Sequence, residues 1–516
     1  MDQLHQRLLD PAAYPEATQS VDFKETHISR IYLTDSHAYK LKKPLNLGFL
    51  DFTTLEKRRH YCHEEVRLNR RFTSGIYLGV IELRQENGTA SFGKSGELLD
   101  YAVQMRRLPE NRMLDSLIET DSPNLLQAMP RLALAVHRVM ERADVCRDET
   151  VRNAEVVRSN CEENFSQTLS AIGTLLTSEA HELMQNAVRH DLDEFEGVML
   201  ERERKGYVRD GHGDLHAANI CMTDPICIYD CIEFNRRFRV ADILADLAFL
   251  VMDLEFRGRW DLANKLTTQH QEHPEAGDFK RLLSFYKQYR AWVRGKVNAM
   301  LAAAPDTVKE TREQAGRLAC RYFNLALGYR IKPTLFLTSG LMGVGKTTLA
   351  RALAQALGAT HLRSDIIRKQ LAGLPEKQAS LDDFGTGLYS QEMTERAYKA
   401  IFETAAGLIS RQRSVIVDAS FAKDDKRNSF ISLAERAGCP VWLLHLECPE
   451  DVTLKRLDQR SDDASDGRRE LYARQKSNFS PITAINHVVP VDTTCAVDYN
   501  VQSLLCRALS NQERFT

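Results

Sequence analysis

The chain contains no run of about eighteen apolar residues, and nothing in it reads as a membrane span. It also lacks CxxC pairs. Its eleven cysteines are irregularly spaced, which argues against a zinc ribbon or a dithiol redox centre. Cys221, Cys227 and Cys231 do cluster, but Ile226, Ile228 and Ile232 alternate with them and predict buried strand thiols. The start, MDQLHQRLLDPAAYPEATQ, has neither the basic opening nor the apolar core of a targeting segment. With an odd number of thiols, this predicts a reducing, cytoplasmic setting. An excess of charge of either sign is missing as well. Lys and Arg number 69 against 71 Asp and Glu, a net charge of -2. That balance disfavours a general nucleic-acid binder, although it leaves room for a local basic groove. No internal repeat or low-complexity tract stands out.

What is present is the composition of a soluble globular protein, at a length that calls for more than one core. Residues 27 to 43 read as two short strands around the turn Asp35-Ser36, followed by a helix over about 54 to 71. Tyr77 to Leu83 and Asp100 to Met105 read as strands flanking the turn-rich QENGTASFGKSGE. Residues 124 to 205 and 238 to 329 are mostly helical in pattern. After GYRIKP the pattern changes abruptly: apolar strands (TLFLTSG, VIVDASF, VWLLHLE) alternate with helices, the mark of βαβ units and a parallel sheet. The expected boundary is near residue 332, with domains at 1–332 and 333–516.

Phosphoryl transfer needs a group that orients or deprotonates the attacking hydroxyl, metal ligands and a cation for the phosphates. HGDLHAAN offers Asp214 as the base and Asn219 as a magnesium ligand from the same loop. The following ICIYDCIEF brings Asp230 as a second oxygen ligand. These motifs, with VADILADLAFL, resemble the aminoglycoside phosphotransferase and choline kinase-like group of the protein-kinase-like superfamily over most of residues 20 to 300. The resemblance implies an α+β bilobal kinase fold, with an N-lobe over about 20–105 and a helical C-lobe over 106–332. It makes Asp214 the base, Asn219 and Asp230 metal ligands, Asp246 a brace of the loop and His212 a keeper of its geometry. It also implies a strand lysine paired with a helix glutamate. Lys40 is the candidate with Lys42 as rival, and Glu65 with Glu64 as rival. YAVQMRRLPE would be the hinge, where backbone groups near Arg106 and Leu108 meet adenine. The glycine-rich loop expected over the phosphates is missing; ETHISRIYL stands there, with Thr26 and Ser29 as substitutes. In FYKQYRAWVRGKV, Arg290 and Arg294 share a helical face near Lys296. Two readings are open, a solvated basic stripe or a site for a phosphorylated or acidic substrate.

GLMGVGKTT fits G-x-x-x-x-G-K-[ST] between an apolar strand and a helix. Gly340, Gly343 and Gly345 let backbone N–H groups face phosphate. Lys346 reaches the β/γ-phosphates, Thr347 ligates magnesium, and Thr348 continues the cradle. Asp418 ends the strand VIVDASF, where a second carboxylate near the metal belongs. THLRSDIIRKQL places Asp365 and Arg368 where a substrate hydroxyl binds, and LKRLDQR places Arg456 and Arg460 ahead of an acidic, lid-like segment. This half resembles P-loop small-molecule kinases of the gluconate kinase, zeta-toxin and polynucleotide-kinase-like cluster. The resemblance makes Asp365 the base, Arg368 a substrate-phosphate or structural contact and Arg460 the lid arginine.

The whole is similar to a bacterial fusion family that joins an aminoglycoside phosphotransferase-like domain to an AAA-type P-loop kinase domain. The expectation is a bifunctional enzyme using ATP, or GTP, with Mg2+ to phosphorylate hydroxyl groups of small molecules, in two successive steps if the sites share one metabolite. Alternatives are one kinase half regulated by the other as a nucleotide switch or pseudokinase, and a nucleic-acid-end kinase.

Overall fold

A computed structural model describes residues 3–93, 95–146, 152–271, 278–305, 307–375, 387–459, 469–482 and 486–513. The chain divides into two compact units, Met1–Asn160 with Asp191–Arg290, and Cys161–His190 with Ala291–Thr516. The boundary expected near residue 332 does not coincide with this division.

The first unit opens on an antiparallel sheet of β1 (Asp22–Glu25), β2 (Ser29–Leu33), β3 (His37–Lys42), β4 (Tyr77–Glu86), β5 (Thr89–Phe92) and β6 (Glu97–Arg106), in the order β1-β2-β3-β6-β4-β5. Helix α1 (Leu55–Asn69) falls between β3 and β4. Thr54 caps it, its hydroxyl accepting from the Lys57 N–H. Period-two alternation in β3 sends Tyr39 and Leu41 into an aromatic cluster with Tyr14, Tyr32 and Phe92. The opposite face meets Cys62 and Val66 of α1, and Lys40 and Lys42 point to that side. The turn-rich segment holds one strand more than expected. Asn87 and Gly88, both at positive φ (49° and 80°), make a two-residue hairpin turn that pairs β5 with β4. The rest of the unit is helical, with a small antiparallel ladder of Asp144–Val145, Val208–Asp210 and Val240–Asp242. Next comes α2 (Ile243–Phe256), most of it buried. Cys221, Cys227 and Cys231 are all buried free thiols, and burial pushes Cys227 up to about 11.

The second unit is built on a parallel sheet. Helix α3 (Lys309–Gly328) leads into β7 (Leu335–Ser339), followed by α4 (Lys346–Leu357), β8 (Thr360–Arg363), α5 (Ser364–Leu371) and α6 (Gln391–Ile409). Then follow β9 (Val415–Asp418), α7 (Asp424–Arg436), β10 (Val441–Glu447), α8 (Glu450–Asp458), α9 (Arg469–Ser477), β11 (Val488–Asp492) and α10 (Val497–Glu513). Strand order is β8-β9-β7-β10-β11. The direction of winding reverses at β7, and the crevice beyond its carboxyl end is where such sheets bind ligands. Leu335, Leu337, Val415 and Val417 pack with Tyr398, Ile401, Phe430 and Ile431 from α6 and α7. Helix α3 packs with α4 and α10. A Cβ on Gly328 would lie 1.9 Å from the Ala356 carbonyl oxygen, so only glycine permits that approach.

Candidate active sites

In the first unit, five charged side chains form a chain of contacts. Lys40 Nζ donates to Glu65 Oε1 at 2.9 Å and to Asp230 Oδ1 at 2.5 Å. Lys42 Nζ donates to the other Glu65 oxygen at 2.7 Å and also to Glu233. Lys40 and Lys42 are therefore not alternatives, since both hold Glu65. Glu64 instead pairs with Arg67 on the helix surface, at 2.7 Å. Burial pushes the Glu65 carboxyl up, but Lys40 and Lys42 outweigh it and hold the group at about 2. Burial raises Glu233, with Lys42 opposing. Glu233 is the residue that sequence reasoning left out. It lies in the same IYDCIEF segment as Asp230, with no surface pattern to set it apart.

Asp230 does not sit in a strand. A two-residue strand, Cys227–Ile228, pairs with Ile220–Cys221 and ends two residues earlier. Asp230 follows in the left-handed region, φ 65°, its N–H donating to the Tyr77 hydroxyl at 3.0 Å. A non-glycine residue in that region is strained backbone of the kind that collects at functional sites. The turn aims the carboxylate at Lys40. Asn69 adds a tie: its side-chain oxygen accepts from the Cys231 N–H at 2.9 Å while its nitrogen donates to the Glu65 carbonyl at 2.9 Å.

The loop 211–219 is pinned by acids of α2. Asp246 accepts the N–H groups of His212 (2.7 Å) and Gly213 (2.9 Å), and Asp253 accepts that of Ala217 at 2.9 Å. His212 is buried, and burial lowers its pKa, with Asp246 pulling the other way. Its Nδ1 accepts from the Asp214 N–H at 3.3 Å, which leaves Nε2–H to donate to the Tyr229 carbonyl at 2.9 Å. The imidazole is thus neutral and structural. Asn219 Nδ2 donates to the Asp214 carbonyl at 3.0 Å, and His216 Nε2 lies 3.4 Å from Asp214 Oδ2. Hard oxygen donors from Asn219 and Asp230 suit magnesium.

Three expectations change here. The Arg106 N–H donates to the Ile76 carbonyl at 2.9 Å as part of the sheet, so it is not available to adenine. Leu108 donates to no backbone carbonyl among the described residues, and it keeps the hinge role open. Thr26 Oγ1 accepts from the Ile28 and Ser29 N–H groups (3.3 and 3.0 Å), closing a tight turn in which these two amides are taken by the Thr26 side chain. Arg290 is buried, its guanidinium 4.8 Å above the Phe249 ring and 3.9 Å from Asp246 Oδ1. Arg294 lies over Tyr322, and Lys296 donates to Asn164 and Gln167. These cations are engaged inside the protein, and an anion-binding role for Arg290 and Arg294 is set aside.

In the second unit a cavity of about 970 Å³ opens at the carboxyl end of the sheet. Gly343, Gly345, Lys346, Thr347 and Thr348 line it, together with Asp365, Arg368, Asp418 and Arg456. Gly340 opens the loop, its N–H donating to the Ser420 carbonyl at 3.2 Å. Gly343 has φ 78°, and a Cβ there would meet Leu457 Cγ at 2.8 Å, so the tight cradle excludes any other residue. Lys346 Nζ donates to the Leu341 carbonyl at 2.8 Å, folded back over its own loop. Asp418 is buried. Burial pushes its carboxyl up, but His361 (3.2 Å), Thr347 and Lys346 hold it low and ionised. An ionised carboxylate beside the Thr347 hydroxyl fits a magnesium ion.

Asp365 Oδ1 accepts from Arg368 at 2.9 Å, and the Arg368 guanidinium stacks 4.9 Å from the Tyr389 ring. Arg456 donates to Thr493 Oγ1 (3.2 Å) and to the Thr493 carbonyl (2.8 Å), fastening α8 to the turn after β11 beside Gly345. Arg460 lies outside the described residues. Sequence reasoning missed Arg363, Lys423 and Lys426, which also line the cavity, and Gln475, whose Oε1 accepts from the Met342 N–H at 2.7 Å. The signal for Lys423 and Lys426 was their place just after the Asp418 strand. Gln475 carries none, because it reaches the loop from more than a hundred residues away.

Residues 335–482 match a family described as an AAA domain. Uncharacterized proteins of Mycobacterium tuberculosis (strain ATCC 25618 / H37Rv) and Mycobacterium bovis are each 28% identical to the chain over 462 residues, 88% of this chain and 89% of theirs. A gluconokinase from Sinorhizobium meliloti 1021 aligns at 22% identity, over 36% of this chain and 99% of its own, with a TM-score of 0.28. The GDP complex of aminoglycoside 2'-phosphotransferase-IIIa aligns at 14% identity, over 63% of this chain and 99% of its own, with a TM-score of 0.39.

Proposed function

We propose that this chain, a protein-kinase-like unit followed by an AAA-type P-loop domain, is a phosphotransferase with two sites, each moving the γ-phosphoryl group of a nucleoside triphosphate to a small-molecule hydroxyl. The observation that carries the reading is shared by both halves: a lysine positioned for phosphate stands beside a carboxylate suited to magnesium, Lys40 with Asp230 and Lys346 with Asp418. Asp214 and Asp365 supply the hydroxyl-orienting carboxylates.

At the first site, Asp246 and Asp253 fix the loop so that Asp214 meets the substrate hydroxyl without reorganising. Lys40, steadied by Glu65, holds the α/β-phosphates. Asn219 and Asp230 would hold magnesium, which neutralises charge on the transferring phosphoryl group. Arg368 keeps the Asp365 carboxylate at the second site oriented, and Lys346 turns from Leu341 to the β/γ-phosphates. Thr347 and Asp418 would hold the metal there.

A mass-spectrometric screen of a metabolite pool with the full chain, ATP and Mg2+ tests this. Asp214→Ala and Lys346→Ala should each abolish one phosphorylation, at about 10²-fold or more. If the sites act in sequence, the two variants accumulate different intermediates. Identical final products from both would end the sequential reading.

A second reading, a nucleotide switch controlling a single active half, is favoured by Gln475 occupying the Met342 N–H. Its signature is slow hydrolysis at the P-loop that no hydroxyl compound stimulates.

A further inference from the structure

A second cavity, of about 270 Å³, lies in the first unit apart from the reacting groups: Lys40, Asp214, Asn219 and Asp230 do not line it. Its walls come from three places in the chain. Phe72, Thr73 and Ser74 follow α1, the helix Leu125–Arg142 supplies a second wall, and Asp224, Pro225, Ile226 and Ile228 supply the third. Thr73 Oγ1 lies 3.2 Å from Cys227 Sγ, and the Phe72 ring centroid lies 6.0 Å from that of His212. The cavity thus backs onto the loop 211–219 without opening into the site that this loop serves.

Its charge is concentrated on one helix face. Arg131, Ala135, Arg138 and Arg142 line the cavity at spacings of four, three and four, the period of a single face. Among the described lining residues the three arginines meet one carboxylate, Asp224. Arg131 takes that one up: it lies 3.8 Å from Asp224 Oδ1 and donates to the Thr223 carbonyl at 3.1 Å. Arg138 and Arg142 make no hydrogen bond or ion pair among the described residues. Glu141, the acid between them on the helix, meets His137 at 3.2 Å instead. Like charges four apart on one helix repel, and an anion between them relieves the repulsion. Ser74 adds a hydroxyl to the lining, and Leu134, half exposed, adds apolar surface with Pro225 and Ile226. Apolar walls with a few convergent polar groups are how small-molecule sites are built, and drug-sized ligands occupy about 300–1,000 Å³, so the occupant here is compact.

We infer that this cavity binds a small phosphate monoester, its phosphate held by Arg138 and Arg142 and its carbon skeleton set against Leu134, Pro225 and Ile226. Two guanidinium forks call for more acceptor atoms than a carboxylate has. One fork already satisfies both oxygens of a carboxylate, whereas the three terminal oxygens of a monoester reach two forks at once. The site is separate from both candidate active sites, so its ligand is neither nucleotide nor acceptor.

Equilibrium dialysis of the full chain with radiolabelled inorganic phosphate, in magnesium and a saturating non-hydrolysable nucleoside triphosphate analogue, tests the inference. Phosphate should bind alongside the analogue. Arg138→Gln and Arg142→Gln should each weaken it about tenfold or more, the effect of a lost charge-assisted hydrogen bond. Both side chains are exposed, so analogue affinity should stay within about twofold and report that each variant is folded. Arg411→Gln, at an exposed arginine of the second unit, should leave phosphate affinity within about twofold. Unlabelled n-propyl phosphate should displace the label about fourfold or more better than inorganic phosphate, the gain from one buried methylene. Acetate should displace it about tenfold less well than inorganic phosphate. The inference is overturned if no phosphate binds alongside the analogue, if both cavity substitutions leave its affinity unchanged, or if Arg411→Gln weakens it as much as they do. It is equally overturned if acetate matches inorganic phosphate, or if n-propyl phosphate displaces the label no better than inorganic phosphate.

Discussion

Glu65 is the residue on which the first site turns. It is fully buried, and both of its oxygens are taken, one by each lysine. Removing the charge leaves two buried cations short of a counter-charge, so Glu65→Gln should lower the stability of the first unit by about 3–5 kcal/mol in urea unfolding. The effect has a pH signature. The Glu65 carboxyl lies at about 2 against an ordinary value of 4.5. Its contribution is complete above about pH 4.5 and is lost as pH falls toward 2, so the gap between native and variant should narrow as pH is lowered through that window. A gap that stays constant down to pH 3 would contradict it. At this scale the sequence was informative about identity and silent about partnership. Asp214, Asn219, Asp230, Lys40 and Glu65 could each be named from motifs. That Lys42 and Glu233 join the same chain could not, because it depends on which carboxylates β3 meets across α1.

At the scale of elements, α2 holds the loop 211–219. Its apolar sequence reads as a buried helix, and the structure shows why acids interrupt it: Asp246 and Asp253 serve loop N–H groups, and Glu255 accepts from Lys287 at 2.9 Å. Asp253 also meets Arg257 at 3.2 Å. Asp253→Ala should therefore cost about 1.5–3 kcal/mol, read as a drop in the melting temperature of the first unit. Unchanged melting would mean that the Ala217 end of the loop is held by other contacts. Strand signals worked where alternation was clear, as in β2, β3, β4 and β6. They failed at β5, whose Asn-Gly turn was visible but whose four residues are too few to show a period. They failed again at Asp230, where an apolar neighbourhood suggested a strand and a left-handed turn ended it.

For the whole molecule, the change from helical pattern to βαβ pattern near residue 332 is real in the sequence, but compactness follows a different line. Helix α3 looks like the last of a helical domain because nothing in its periodicity says which sheet it serves. Its packing on α4 and α10, and the contact of Gly328 with Ala356, group it with the P-loop half. A fragment starting at Lys309 should accordingly unfold at higher urea than one starting at Pro333, which exposes the apolar faces of α4 and α10. Equal midpoints would restore 332 as the working boundary.

The double grip on Glu65 has a mechanical consequence. A bar held by one pin pivots; held by two, it does not. With Lys40 and Lys42 both fastened to the same carboxylate, α1 cannot swing out without breaking two buried ion pairs at once. The strand lysines and the helix glutamate thus move, if they move, as one piece.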